Sequence, residues 1–268
     1  QPGKHRFYSC VPECRISAYS RRSLRNVRII HGWAAMTPYI IATIKPWNIS
    51  VMEEKIQTLP GEWHLITEKD QLTVELINTI NPRYVFFPHW SWIVPQGILE
   101  TADCVCFHMT DVPFGRGGSP LQNLIARGHR ETMISALQMT DVLDAGPVYM
   151  KTCLDLDGSA QEIFERAAVT ISDMMGRIAA EEPSPVAQSG TVVEFARRRP
   201  EQSLLPETGS LRQLYDHIRM LDADTYPRGF IQHGDFRMEF SSSQLSGDTL
   251  NAQITIRNTS NSDDPNAT

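Results

Sequence analysis

The stretch CFHMTDVPFGRGGSPLQNLIARGHRETMISALQMTDVLDAG, Cys106–Gly146, decides how the chain is read. It begins inside an apolar run, DCVCFH (Asp103–His108), which reads as a buried strand closed by a histidine. A loop follows from Thr110 to Gly118, with Gly115, Gly117 and Gly118 around Arg116. SPLQNLIARG (Ser119–Gly128) has the marks of a short helix: serine at the N-cap, proline at the first helical position and glycine past the end. TMISALQM (Thr132–Met139) is again strand-like and leads into TDVLDAGP. Strand, helix and strand in this order predict a parallel crossover. Such a crossover returns the chain to the sheet edge that carries His108, where α/β proteins hold ligands. An acid of the following loop, Asp141 or Asp144, is then expected to face His108, orient its ring and favour its protonated form.

The same alternation extends outward. TPYIIATI (Thr37–Ile44), WHLI (Trp63–Ile66), YVFFPHW (Tyr84–Trp90) and PVYMKTCL (Pro147–Leu154) read as strands, and EKDQLTVELINTI (Glu68–Ile80) as a helix. SAQEIFERAAVTISDMMGRIAAE (Ser159–Glu181) is a long amphipathic helix opened by a capping box, Ser159 with Glu162. The pattern predicts an α/β core over residues 36–195, with a Rossmann-like, largely parallel sheet. A Pro/Ser-rich linker spans roughly residues 181–190. A helix from Leu211, a Tyr-Pro turn and the alternating FRMEF and NAQITI predict a small C-terminal α+β subdomain over 196–258, before a polar tail at 259–268.

Charge is uneven along the chain. The net charge is -6, yet residues 1–35 hold seven Lys/Arg against one acid, leaving 18 basic against 30 acidic residues, or -12, for the rest. A basic arm, a transit peptide and sequence translated upstream of Met36 compete as readings of 1–35; the last fits best, because the regular pattern begins there. The acidic body argues against a large nucleic-acid footprint. No apolar run approaches the roughly 20 residues that span a bilayer, so no membrane partner is expected. Five cysteines, an odd number, point to reduced thiols and a cytoplasmic setting. Cys10 and Cys14 have the spacing of half a zinc site without a second half, so no metal is expected.

The stretch Phe107–Lys151 resembles the core of the formyltetrahydrofolate-dependent formyltransferases, and the resemblance is specific from Tyr84 to about Glu181. The resemblance rests on Cys106-Phe107-His108 in the place of an Asn-x-His motif, on Gly115-Arg116-Gly117-Gly118-Ser119-Pro120, and on Leu143-Asp144-Ala145-Gly146. It implies a formyl donor, N10-formyltetrahydrofolate, and a primary amine as acceptor. It also selects Asp144 over Asp141 as the partner of His108. Protonated His108 would then stabilise the oxyanion and protonate the departing folate nitrogen, while Asp144 orients His108 and helps take the amine proton. Phe86, Phe87, Pro88 and His89, with Thr140, Asp141 and Leu143, would form the pterin slot, and Thr110, Gly115, Arg116, Gly117 and Gly118 the substrate loop. Cys106 departs from the family asparagine. A thiol is a weak donor where an amide is a strong one; Thr110 or His89 are the nearby replacements, and a Cys106 thiolate nucleophile is the other way to use the residue.

The acidic body and short C-terminal piece favour a small amine acceptor, with an amino sugar on a nucleotide carrier as the leading expectation. Methionyl-tRNA, hydrolysis of the donor, and a folate- or nucleotide-binding module without turnover are the alternatives. A homodimer is left open.

Overall fold

The computed structural model describes residues 36–260. The expectations for residues 1–35, for Cys10 and Cys14, and for the tail beyond residue 260 lie outside the described residues.

The core strands are β1 (Pro38–Ala42), β2 (Glu62–Ile66), β3 (Tyr84–Phe87) and β4 (Cys104–His108), with α1 (Pro46–Lys55), α2 (Val74–Ile80) and α3 (Gln96–Thr101) between them. Then come β5 (Phe114–Gly117), α4 (Pro120–Ala126), β6 (Glu131–Gln138), β7 (Val148–Asp155) and α5 (Ala160–Glu181). The remaining elements are β8 (Val193–Phe195), α6 (Leu211–Arg219), β9 (Gly229–His233), β10 (Phe236–Ser246) and β11 (Thr249–Asn258). Six strands form the main sheet in the order β2-β1-β3-β4-β6-β7. The first four are parallel, whereas β6 is antiparallel to β4 and β7 to β6.

This corrects the crossover reading. The strand after α4 returns in the opposite direction, with Val105 beside Gln138 and His108 beside Ser135. The end of β6 therefore lies at the start of β4, away from His108. The connection of 22 residues, 109–130, is long enough for either direction, and part of it is spent on β5, which leaves the main sheet to pair with β8.

Strand alternation divides the core into two faces. Tyr39, Ile41, Tyr84, Phe86, Val105 and Phe107 point into the larger cluster, which α5 covers with Ile163, Phe164, Ala167, Ile171 and Met175. Ile40, Val85, Phe87 and Cys104 point to the opposite face, beneath Ile77 and Ile98. Each fully buried large apolar side chain contributes about 1.5–3 kcal/mol, so this sheet is a rigid platform for its loops. The capping box of α5 is present: Glu162 N–H donates to Ser159 Oγ, and the Glu162 carboxylate accepts from Ser159 N–H at 2.7 Å. α2 starts later than the pattern suggests, where Thr73 Oγ1 accepts from Leu76 N–H. Ser119 does precede α4 but lies at φ 48° without capping it; its hydroxyl accepts from Arg198 N–H at 3.0 Å. β9, β10 and β11 form a separate antiparallel sheet, with α6 lying beside β10 and β11.

Candidate active site

Between β1 and β3 the chain order of the sheet reverses direction, which opens a crevice at the carboxyl ends of the parallel strands. A cavity of about 850 Å³ occupies this crevice, with Asn48 after β1, His89 after β3, and Cys106 and His108 on β4 in its walls. Its size falls in the ordinary range for small-molecule sites. One part is apolar, formed by Phe87, Trp90, Val94, Leu99 and Met139; another is bounded by Phe164, Tyr226 and Arg197.

His108 is buried, and both ring nitrogens are engaged. Nε2 lies 2.7 Å from the Gly115 carbonyl oxygen, and Nδ1 lies 3.5 Å from Asp144 Oδ1. A carbonyl can only accept, so Nε2 carries a hydrogen and Nδ1 is the nitrogen turned to Asp144. Gly115 sits at φ 77°, and a Cβ there would come within 2.8 Å of both Thr110 and Phe195. Glycine is what allows the chain to bring this carbonyl under the histidine.

Asp144 arrives by a route the crossover reading did not contain. The end of β6 is held to the start of β4 by Met139 N–H donating to the Cys104 carbonyl. Residues 140–144 then run back along β4 to the level of His108. There Asp144 Oδ2 accepts from Gly117 N–H at 2.9 Å, which leaves Oδ1 toward the imidazole. The Asp144 backbone is left-handed at φ 53°, a conformation that costs an ordinary residue about 1 kcal/mol.

Cys106 lies on the same face of β4 as His108 and forms part of the cavity wall. Burial, reinforced by the Asp144 charge, pushes its thiol up to about 12. The thiol is therefore protonated at neutral pH, which speaks against a thiolate nucleophile. His89 adopts φ 56° and packs edge-on against Trp47 and Phe164, with Nε2 3.1 Å from the Tyr226 hydroxyl. Burial, with the Lys45 charge as a lesser cause, pushes it down to about 3, so its ring is neutral.

The other expected residues separate. Phe87, His89, Thr140, Asp141, Leu143, Gly117 and Gly118 line the cavity. Phe86 does not: it alternates onto the opposite face, stacked between Trp63 and Phe107. Pro88 is buried, and its carbonyl accepts from Thr43 Oγ1 at 2.6 Å, tying the end of β3 to β1. Thr110 is fully buried and donates to the Gly115 carbonyl at 3.2 Å, so it supports the loop rather than facing the cavity. Arg116 is turned to Gln188 Oε1, with its Nε at 3.1 Å and a terminal nitrogen at 2.7 Å. Asn48, Phe164, Arg197 and Gln188 were not anticipated from the sequence. Tyr226 lies in the Tyr-Pro turn, which was the one visible signal. Among the described residues no group of three or more His, Cys, Asp or Glu could hold a metal ion, and no helix is long and apolar enough to cross a membrane.

A solved methionyl-tRNA formyltransferase from Clostridium thermocellum is 45% identical to this chain, covers 83% of it, and is itself covered completely, with a TM-score of 0.81. The chain belongs to the formyltetrahydrofolate-dependent formyltransferase family. Residues 200–257 match the family model described as "Methionyl-tRNA formyltransferase, C-terminal domain". The methionyl-tRNA formyltransferase of Rickettsia massiliae is 30% identical over 131 residues, which are 47% of this chain and 43% of that protein. The chain thus spans less than half the length of that relative. A sugar N-formyltransferase from Shewanella, at 14% identity and a TM-score of 0.61, shares the formyltransferase fold.

Proposed function

We propose that the chain transfers a formyl group from N10-formyltetrahydrofolate to the amino group of methionyl-tRNA. The observation that carries the transfer is the convergence of His108 and Asp144, from separate elements, on one wall of a cavity at the sheet's switch point. The donor supplies the activated formyl group, and the apolar part of the cavity, with the Thr140, Asp141 and Leu143 loop beside it, fits a flat heteroaromatic ring with polar edges. His108 Nδ1, protonated, is the donor to the formyl oxygen as it gains negative charge, and then the source of the proton for the departing nitrogen. The Gly115 carbonyl keeps the ring in place during both steps through Nε2. Asp144 Oδ1 stabilises the imidazolium by its charge from 3.5 Å, without a hydrogen bond that would tie up the Nδ1–H, and receives the amine proton, directly or through water. The Cys106 thiol adds only a weak donor. Relative to an amide this lowers turnover by roughly a hundred- to a thousand-fold unless another group compensates.

The acceptor assignment departs from the amino-sugar expectation. That expectation rested partly on a C-terminal piece judged too short for tRNA, whereas this piece matches a methionyl-tRNA formyltransferase C-terminal domain. The relation to the Clostridium thermocellum enzyme supports methionyl-tRNA, while likeness to the sugar N-formyltransferase is one of fold alone. Local charge also fits a polyanion despite the acidic body. Arg197 borders the cavity, and Arg127 lies over Phe195 at 4.4 Å. Among the described residues neither has a carboxylate within ion-pair distance. The division into a catalytic core through residue 195 and a C-terminal subdomain over 196–258 belongs to the same proposal.

The test is to incubate purified protein and N10-formyltetrahydrofolate with methionyl-tRNA, with amino-sugar nucleotides, or with neither. Release of tetrahydrofolate that depends on methionyl-tRNA is the expected result. Release only with amino sugars overturns the acceptor, release without any amine makes the protein a hydrolase, and binding without release removes the transfer step altogether.

A further inference from the structure

We propose that Gln188, backed by Arg116, is a positioning residue that sets Asp144 against His108; the inference rests on the His108–Asp144 reading above. Gln188 lies in the Pro/Ser-rich segment between α5 and β8, which has no regular structure of its own. The segment is nonetheless fastened. Val186 exchanges two backbone hydrogen bonds with Val148, at 2.8 and 2.9 Å, at the start of β7. Two residues further on, the Gln188 amide nitrogen donates to the carbonyls of Asp144 and Gly146, each at 2.8 Å. Its Oε1 accepts twice from the Arg116 guanidinium.

The partners fix the amide's orientation. Carbonyls only accept and a guanidinium only donates, so the oxygen must face Arg116 and the nitrogen must face the loop. Both hydrogens of the amide and its oxygen are therefore used on one short path from β5 to the Asp144 backbone. The neighbouring residue of the same strand, Gly117, holds the Asp144 carboxylate from the other side through its N–H. β5 thus grips Asp144 at its side chain directly and at its main chain through Gln188. This dual grip stabilises the left-handed backbone of Asp144 and sets the 3.5 Å approach of Oδ1 to His108 Nδ1. Gln188 is not among the cavity-lining residues, so it acts through Asp144 and not on a ligand.

Two substitutions separate positioning from mere tethering. Gln188→Ala removes both halves of the link. Gln188→Glu keeps an acceptor for Arg116, now charge-assisted, but has no N–H for Asp144 and Gly146. In the full chain, with N10-formyltetrahydrofolate and methionyl-tRNA, both variants are expected to lose about tenfold or more in kcat, with KM for each substrate within about twofold. The melting temperature of Gln188→Glu should fall, because a carboxylate oxygen then faces the Asp144 and Gly146 carbonyls, and kcat is compared at a temperature below the transition of each variant. In ¹⁵N spectra of the His108 ring, Nδ1 should move in both variants while Nε2, held by Gly115, stays. Wild-type kcat and an unmoved Nδ1 in Gln188→Glu overturn the proposal, since Arg116 alone then suffices. If the wild type transfers formyl to no acceptor, the proposed activity fails instead, and the Nδ1 signal still decides the positioning claim.

Discussion

The two halves of the main sheet deliver the site by different means. The parallel half, β2-β1-β3-β4, brings Asn48, His89, Cys106 and His108 to one edge simply because its strands share a direction. The antiparallel half, β6 and β7, ends its hairpin at the wrong level, and Asp144 reaches His108 only because residues 140–144 fold back and are held there. Topology places one catalytic candidate, and a handful of hydrogen bonds places the other. The first should therefore tolerate changes around it, and the second should be sensitive to residues that touch no ligand.

The largest expected effect lies in the parallel half. His108→Ala should lower kcat by about a thousandfold, within the range for losing a general acid and oxyanion donor. Steady-state turnover measures this, and turnover that persists removes His108 from the reaction. Cys106→Asn, on the same strand face, should raise kcat at least tenfold by supplying an amide donor. An unchanged rate would mean that another group already fills that role. A more modest change is expected from Arg197→Ala, at the rim. It should raise KM for methionyl-tRNA about tenfold and reduce the slope of affinity against salt by about one, leaving kcat alone. An unaltered salt slope would place the acceptor's phosphates elsewhere.

The remaining effect is on stability and not on turnover. His89 is held neutral in the folded chain, pushed down to about 3, while an unfolded histidine titrates near 6.5. Its contribution is therefore intact above about pH 6.5 and is lost as pH falls toward 3, because the unfolded state binds the proton first. The loss is about 1.4 kcal/mol per pH unit within that window. His89→Asn, suited to the left-handed backbone at φ 56°, should flatten this part of the pH dependence in thermal unfolding. A parallel decline in both proteins would assign the acid sensitivity to other groups.

What could be read from the sequence follows the same division. His108 at a strand end, the helix of Ser159–Glu181 with its capping box, and the hairpin of the C-terminal piece are local patterns, and local patterns survive folding. The direction of β6 is not local. A strand has the same alternation either way, so nothing between residues 131 and 138 announced that it runs against β4. Alternation did show that Phe86 and Phe87 face opposite sides of β3, but not which of them lines the cavity, since Cys106, Phe107 and His108 of β4 line it in succession. Gln188 could not be found this way. It lies in a stretch of Pro, Ser and small residues without periodicity, and its importance comes entirely from which carbonyls lie beside it.

The central claim is that His108 and Asp144 act as one unit although they come from opposite halves of the sheet. A double-mutant cycle on kcat tests it most directly, with His108→Ala, Asp144→Ala and the pair, under conditions where each protein remains folded. If they act together, the double variant should be no more than a few-fold slower than the worse single variant, because the first substitution already disables the second residue. Losses that multiply, so that the double variant shows the product of the two single effects, would mean that the two side chains work independently and that their 3.5 Å approach has no part in the chemistry.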